Sequence, residues 1–349
     1  VEDYLKVITP HLHSDLVSAS ALSNLQALSQ LLPCSFPYGL LECRLGVEQF
    51  QVDLQVGFPR LIPTLPSSFL RYPAWQVIQS LCQEWTDPSS FLYRSMNRVW
   101  LEFDVQDYSS EVPVPCIFLC MNEQVALDEF HLFHLVSRVL NQGISANLKS
   151  HLQLCLNSLP EGAKIQHLGF MLSRNPTTLR VNVAGIPIKQ LSDYLQKIGW
   201  RDSTDTLDAS IADLSQWVDA ILLTIDVGET IYPRVGLECF LYQQPSQDPR
   251  WQKLCADLID KGLCTEKKQT ALLAWPGLSQ KISEDDFWPA NLTLCDRLLQ
   301  GKAHSVFWRT INHIKIVYHP EQPLEAKAYL AFAHSWVDRS LIANSLQPQ

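Results

Sequence analysis

Arg98-Val99-Trp100-Leu101-Glu102-Phe103-Asp104 is the stretch that decides the fold of this chain. Arg98, Trp100, Glu102 and Asp104 lie on one side of a period-two pattern, and Val99, Leu101, Phe103 and then Val105 lie on the other. Successive side chains of a β-strand leave opposite faces, so this alternation describes a strand with one polar and one apolar face. Beyond a polar turn around 109–111, Cys116, Phe118, Cys120 and Asn122 alternate with Ile117, Leu119 and Met121. Residues 98–122 therefore predict a strand pair.

The same pattern recurs. In 39–56, Glu42 and Arg44 alternate with Leu41, Cys43 and Leu45, and Gln51, Asp53 and Gln55 alternate with Val52, Leu54 and Val56. In 167–184, Arg180 and Asn182 oppose Leu179, Val181 and Val183. In 220–242, Thr224 and Asp226 oppose Leu223, Ile225 and Val227, and Arg234, Gly236 and Glu238 oppose Val235, Leu237 and Cys239. In 308–332, Lys315 and Val317 oppose Ile314, Ile316 and Tyr318, followed by Lys327, Tyr329 and Ala331. The alanine content of 325–341 also fits a helix by propensity. Between the pairs, helical spacing of apolar residues predicts helices over 15–32, 75–85, 128–140, 146–159, 188–198, 207–218, 251–259, 265–275 and 292–299, with Ser14 or Asp15 capping the first.

A hairpin starts and ends at one sheet edge, and so does an antiparallel helix pair. Repeating units of this kind can close a ring, which removes exposed edges. The expectation is an α+β fold: a closed antiparallel ten-stranded β-barrel of five ββαα repeats with helices outside, one domain over 1–349. The apolar strand faces then pack outward on the helices, and the polar faces line a lumen. That lumen is expected to hold Glu42, Arg44, Asp53, Arg98, Trp100, Glu102, Asp104, Arg180, Asn182, Asp226, Arg234, Glu238, Lys315, Lys327 and Tyr329. So many charges require water, partners or a charged ligand.

Composition narrows the function classes. The chain has 349 residues with 46% hydrophobic and 18% charged, enough apolar material for a large core. A net charge of −9 argues against a general nucleic-acid surface. The ten cysteines are scattered among apolar residues without a Cys-x-x-Cys, which reads as reduced, buried thiols in a cytoplasmic protein. Residues 1–10 show no basic region followed by an apolar run, and no apolar stretch approaches the roughly 20 residues of a membrane span.

The repeat order, with basic residues on the inward strand faces, resembles the aromatic and peptide prenyltransferases of the αββα (ABBA, or PT-barrel) fold. Lys327-Ala328-Tyr329 matches the family's Lys-x-Tyr pattern. Lys315-Ile316-Val317, Arg234-Val235-Gly236 and Arg180-Val181-Asn182 match it at the basic position. The resemblance implies transfer of an allylic isoprenoid from its diphosphate to an aromatic or peptide acceptor inside the barrel, in natural-product biosynthesis. It implies diphosphate binding by Arg98, Arg180, Arg234, Lys315, Lys327 and Tyr329. Trp100 and Phe118 would line the substrate space and shield an allyl cation. A carboxylate would orient the acceptor or take its proton: Glu102 first, with Asp104, Asp226 and Glu238 competing. No cofactor is fixed by the residues, and magnesium is compatible with a diphosphate.

Acids and bases are about equal in number on the inward faces, which keeps two alternatives open. One is a barrel cyclase or isomerase that uses lumen carboxylates without a prenyl donor. The other is a non-catalytic barrel that binds a peptide or small aromatic. Other motifs read more plainly. His131 and His134 lack further ligands for a metal, as do Cys116 and Cys120. Glu284-Asp285-Asp286 has no second copy and reads as a helix cap. No Gly-x-Gly-x-x-Gly or P-loop is present, so a nucleotide site of that kind is not expected.

Overall fold

The computed structural model describes residues 1–338 except 33–35, 59, 61–64, 106–111, 123, 126, 142, 201–204, 282, 284–286 and 300–302. Its strands are β1 (Tyr38–Arg44), β2 (Val52–Phe58), β3 (Met96–Phe103), β4 (Cys116–Met121), β5 (Lys164–Phe170), β6 (Leu179–Ala184), β7 (Ala220–Val227), β8 (Ile231–Phe240), β9 (Gly277–Gln280), β10 (Ala303–His319) and β11 (Gln322–Asp338). Neighbours pair in the order β1 to β8, then β10 and β11, and β11 pairs back onto β1. Every pairing is antiparallel, so ten strands close a ring as the repeat predicted.

Two features differ from the sequence reading, and a third decides between the two readings of the last segment. The β10–β11 hairpin runs well past the barrel: its pairing continues upstream to Ala303 opposite Asp338, with both Val306 and Phe307 buried. The short β9, after the Pro276–Gly277 break, covers that extension by pairing with Val306–Arg309. The alanine-rich final segment is a strand: Ala326, Ala328 and Leu330 are fully buried against the helices, while Lys327 and Tyr329 face the other way. Tertiary pairing on both edges overrides its helical propensity.

The core is a shell between barrel and helices. Outward residues Val99, Leu101, Val181, Val235 and Leu237 join helix residues such as Trp75, Ile78, Leu132, Leu135, Trp251 and Leu254 in one apolar cluster. Fully burying side chains of this size stabilises by roughly 1.5–3 kcal/mol each. The buried indoles also satisfy their N–H groups: Trp75 donates to the carbonyl of Pro113 (2.6 Å) and Trp85 to that of Met96 (3.0 Å). The first long helix, Ala19–Leu31, starts later than expected because Ser18, not Ser14 or Asp15, supplies the cap.

The remaining motifs settle into local roles. Asp128 caps the helix Glu129–Leu140 and its Oδ1 lies 2.7 Å from Nδ1 of His131, whose ring stacks on Phe91. Cys43, Cys116, Cys120, Cys155, Cys239, Cys255 and Cys264 are free, buried thiols. Glu284-Asp285-Asp286 lies outside the described residues. No helix among the described residues is long and apolar enough to cross a membrane.

Candidate active site in the barrel lumen

Strand register assembles most of the charged part of the lumen. Glu42 on β1 faces Asp53 on β2 and Tyr329 on β11, and Arg44 faces Lys327. Arg180 on β6 faces Asp226 on β7, and Lys315 on β10 faces both Glu238 on β8 and Lys327. The result is a cavity of about 290 Å³ lined by Glu42, Arg44, Asp53, Glu102, Asp104, Arg174, Arg180, Arg234, Lys315, Lys327 and Tyr329.

Its charges are paired. Arg44 reaches Asp53 at 2.6 Å, Lys327 reaches Glu42 at 2.9 Å, and Tyr329 donates its hydroxyl to Glu42. Arg180 grips Asp226 with two bonds of 2.7 and 3.0 Å, and Arg234 meets the same carboxylate at 3.4 Å. Arg174 bonds Glu102 at 2.6 Å and also Asp104. Gly236 makes room for Lys315, since a Cβ there would stand 2.6 Å from its Cε. The ammonium then donates to Glu238 at 2.9 Å.

A wider chamber of about 670 Å³ continues from it, sharing Glu102, Arg180, Lys315 and Tyr329 as a common belt. Trp100, Phe118, Phe240, Tyr242, Ile221 and Leu222 give it aromatic and aliphatic walls. Arg98 lies here, its guanidinium over the rings of Tyr38 (4.5 Å) and Trp100 (5.5 Å). Tyr38 in turn fits because β2 has Gly57 opposite its ring.

Burial and pairing set the protonation states. Burial pushes the Asp226 carboxyl up, but Arg180 outweighs it and holds the group at about 2. Burial likewise opposes ionisation of Glu238, and Lys315 overcomes it, again to about 2. The Lys315 ammonium is itself pushed down, by burial and by Arg180 and Arg234. The two directions pull against each other, and we take the pair as ionised because three donors converge on the Glu238 carboxylate. For Glu42, burial is outweighed by Lys327 and Arg44, which hold it well below the usual range. Asp53 goes the opposite way, to about 6, because burial and the neighbouring Glu42 exceed the pull of Arg44. Burial pushes the Arg234 guanidinium down, with Arg180 adding repulsion.

The structure brings the sequence-nominated residues together in a graded way. Arg180, Arg234, Lys315, Lys327 and Tyr329 converge in the charged cavity. Arg98 does not line it and belongs to the wider chamber with Trp100, Phe118 and Glu238. Glu102 sits on the belt, touching both, and Asp226 lies behind Arg180. Sequence reasoning missed Arg174, which enters from the β5–β6 turn where no periodicity marks an inward side chain. It also missed His313, whose place two residues before Lys315 was a usable signal.

Magnesium that arrives with a diphosphate needs only one or two protein carboxylates besides the phosphate oxygens and water. Here the carboxylates are taken up by cations, and no group of three or more His, Cys, Asp or Glu among the described residues could hold an ion. Among the described residues none form a site that would hold a metal by protein ligands alone.

Solved structures share this architecture over nearly their whole length. The 5-dimethylallyl tryptophan synthase from Streptomyces coelicolor, in complex with DMASPP and Trp, covers 94% of this chain and 93% of its own at 12% identity, with a TM-score of 0.50. The PriB binary complex with product diphosphate covers 94% of both chains at 11% identity, with a TM-score of 0.52. The chain has the αββα barrel fold of aromatic prenyltransferases. At these identities the likeness is one of fold. The sequence matches no protein-family model and no curated protein.

Proposed function

We propose that the barrel is a prenyltransferase-like enzyme that moves an allylic isoprenoid from its diphosphate to an aromatic acceptor, free or as a side chain of a peptide, in cytoplasmic natural-product biosynthesis. The observation that carries this reading is the two-part lumen: a cavity with six cations opening, across a shared belt, into a larger aromatic chamber. Two solved proteins of the same fold were crystallised with a diphosphate-type donor and Trp, or with product diphosphate, which supports the same division of labour.

In this reading Arg180, Arg234, Lys315, Lys327 and the Tyr329 hydroxyl hold the diphosphate. As the allylic C–O bond breaks, the electron pair leaves with the diphosphate oxygen, and these donors stabilise the growing charge. Trp100 and Phe118 face the allyl cation and exclude water. A ring carbon of the acceptor attacks the cation to form the new C–C bond. Glu102, on the belt between donor and acceptor, then takes the ring proton. Asp226 and Glu238 orient the cations rather than touch the reacting carbons.

One observation favours a second reading. Each of the six cations has a carboxylate within 3.4 Å, so a diphosphate must displace acids to bind. A barrel that cyclises or isomerises an acceptor without a prenyl donor would have no such exchange to make. The test is mass spectrometry of an aromatic acceptor incubated with the protein and dimethylallyl or geranyl diphosphate. A product heavier by one isoprenoid unit, lost in Glu102→Gln, supports transfer. Turnover of the acceptor that ignores the diphosphate supports the second reading.

A further inference from the structure

Behind the belt, on the wall of the wider chamber, three hydrogen-bond acceptors gather around Glu238. The carboxylate is nearly fully buried, and its Oε1 takes all three of its close donors: Lys315 Nζ at 2.9 Å, Thr224 Oγ1 at 3.1 Å and Asn182 Nδ2 at 3.2 Å. Its other oxygen, Oε2, faces Nε2 of His313 across 3.9 Å. Nδ1 of that imidazole lies 2.7 Å from Oδ1 of Asn312, an acceptor, so Nδ1 carries the ring proton and Nε2 presents its lone pair. Burial supports the neutral ring, holding His313 at about 4.

Two acceptors thus confront each other with no proton between them. Nε2 of His313 and Oδ1 of Asn182 are both buried and without a hydrogen-bond partner, and both residues line the chamber. Buried polar atoms of this kind are normally satisfied, and leaving them bare disfavours the empty site. Stacking on Tyr329 (centroids 4.1 Å apart, 20° between planes) and packing against Phe240 at 4.9 Å hold the plane of the His313 ring, and the Asn312 contact at Nδ1 orients its edge. What these two atoms lack is a donor. What surrounds them is aromatic.

We propose that His313, Asn182 and Glu238 form the recognition edge for the acceptor substrate, and that they select an aromatic ring bearing an N–H or O–H donor. The inference rests on the acceptor half of the proposed function and is independent of the prenyl donor. A single N–H placed between Nε2 of His313 and Oε2 of Glu238 satisfies both, and a second donor on the same edge reaches Oδ1 of Asn182. A ring carrying only acceptors, or a carboxylate at that edge, meets the Glu238 charge and is rejected.

The test is isothermal titration without any diphosphate, comparing indole with 1-methylindole and L-tryptophan with 1-methyl-L-tryptophan. The wild type should bind the N–H compound about tenfold or more tightly than its N-methyl partner. His313→Phe keeps the stack on Tyr329 and Phe240 but removes the lone pair, and should bring each ratio to within about twofold. Equal binding of the two compounds by the wild type overturns the proposal even if the variant does not fold, and so does failure of both N–H compounds to bind. A ratio that survives in folded His313→Phe overturns the role of that residue. Absence of allylic diphosphate binding leaves these ratios standing and counts against prenyl transfer alone.

Discussion

Replacing Asp226 by Asn should weaken the fold and strengthen anion binding at once. Asp226 holds Arg180 through bonds of 2.7 and 3.0 Å and Arg234 at 3.4 Å, in a site almost closed to water. Removing one partner of a buried ion pair costs about 3–5 kcal/mol. The depression of its carboxyl from 3.8 to about 2 corresponds to about 2–3 kcal/mol of that at neutral pH. Asn keeps a carbonyl acceptor for Arg180, which places the expected loss near 3 kcal/mol. Because the folded-state value lies below the unfolded one, this stabilisation is present above about 3.8 and is lost as pH falls through about 2. The gap between wild type and variant should close over that window.

The same change removes a negative charge from beside Arg180 and Arg234; the separation from a bound diphosphate is taken as about 5 Å. At an effective dielectric near 20 this is worth about 3 kcal/mol, or roughly a hundredfold in affinity, for each unit charge on the ligand. Urea denaturation followed by tryptophan fluorescence measures the first effect, and titration with dimethylallyl diphosphate measures the second. A stability change under about 1 kcal/mol would refute the idea that these guanidiniums depend on Asp226. Weaker diphosphate binding in the variant would refute competition between carboxylate and ligand.

Lys268→Met should cost about 2–4 kcal/mol in urea denaturation, because its buried ammonium donates to the carbonyls of Arg44 (2.9 Å), Gly46 (2.8 Å) and Gln49 at the mouth of the barrel. An unchanged denaturation midpoint would show that water replaces it without cost. Gly236→Ala should displace Lys315 from Glu238, since the new Cβ would stand 2.6 Å from Cε and 3.2 Å from the Thr224 Cβ. Diphosphate affinity should fall while the far-ultraviolet circular dichroism spectrum stays the same. Glu102→Gln keeps the bonds from Gln55 and Arg174 within reach but removes the base. Turnover should drop at least about a hundredfold at nearly constant donor affinity, and a parallel loss of both would show that Glu102 binds rather than catalyses.

The barrel was legible because its strands obey a strict parity. Val99 and Leu101 had to leave the face that Arg98 and Glu102 occupy, and one inward residue per strand fixed the rest. Parity carried Lys327 and Tyr329 into the lumen even though alanines obscured the strand. It could not reveal Arg174, which arrives from a turn, nor the pairing of each cation with its own acid, which depends on register between strands far apart in sequence. Lys327 and Glu42 meet only because β11 closes onto β1. Arg98 shows the opposite limit: its face was read correctly, but its height along the barrel, beside Tyr38 rather than Arg180, is set by strand stagger that no single strand encodes.

The most direct measurement of the central claim is isothermal titration of the wild type and Arg234→Ala with dimethylallyl, geranyl and farnesyl diphosphates. The proposed function predicts saturable binding of at least one diphosphate to the wild type, and a loss of about 1.5–3 kcal/mol of binding free energy in Arg234→Ala. No binding of any chain length to the folded wild type would contradict it and leave a barrel that works without a prenyl donor.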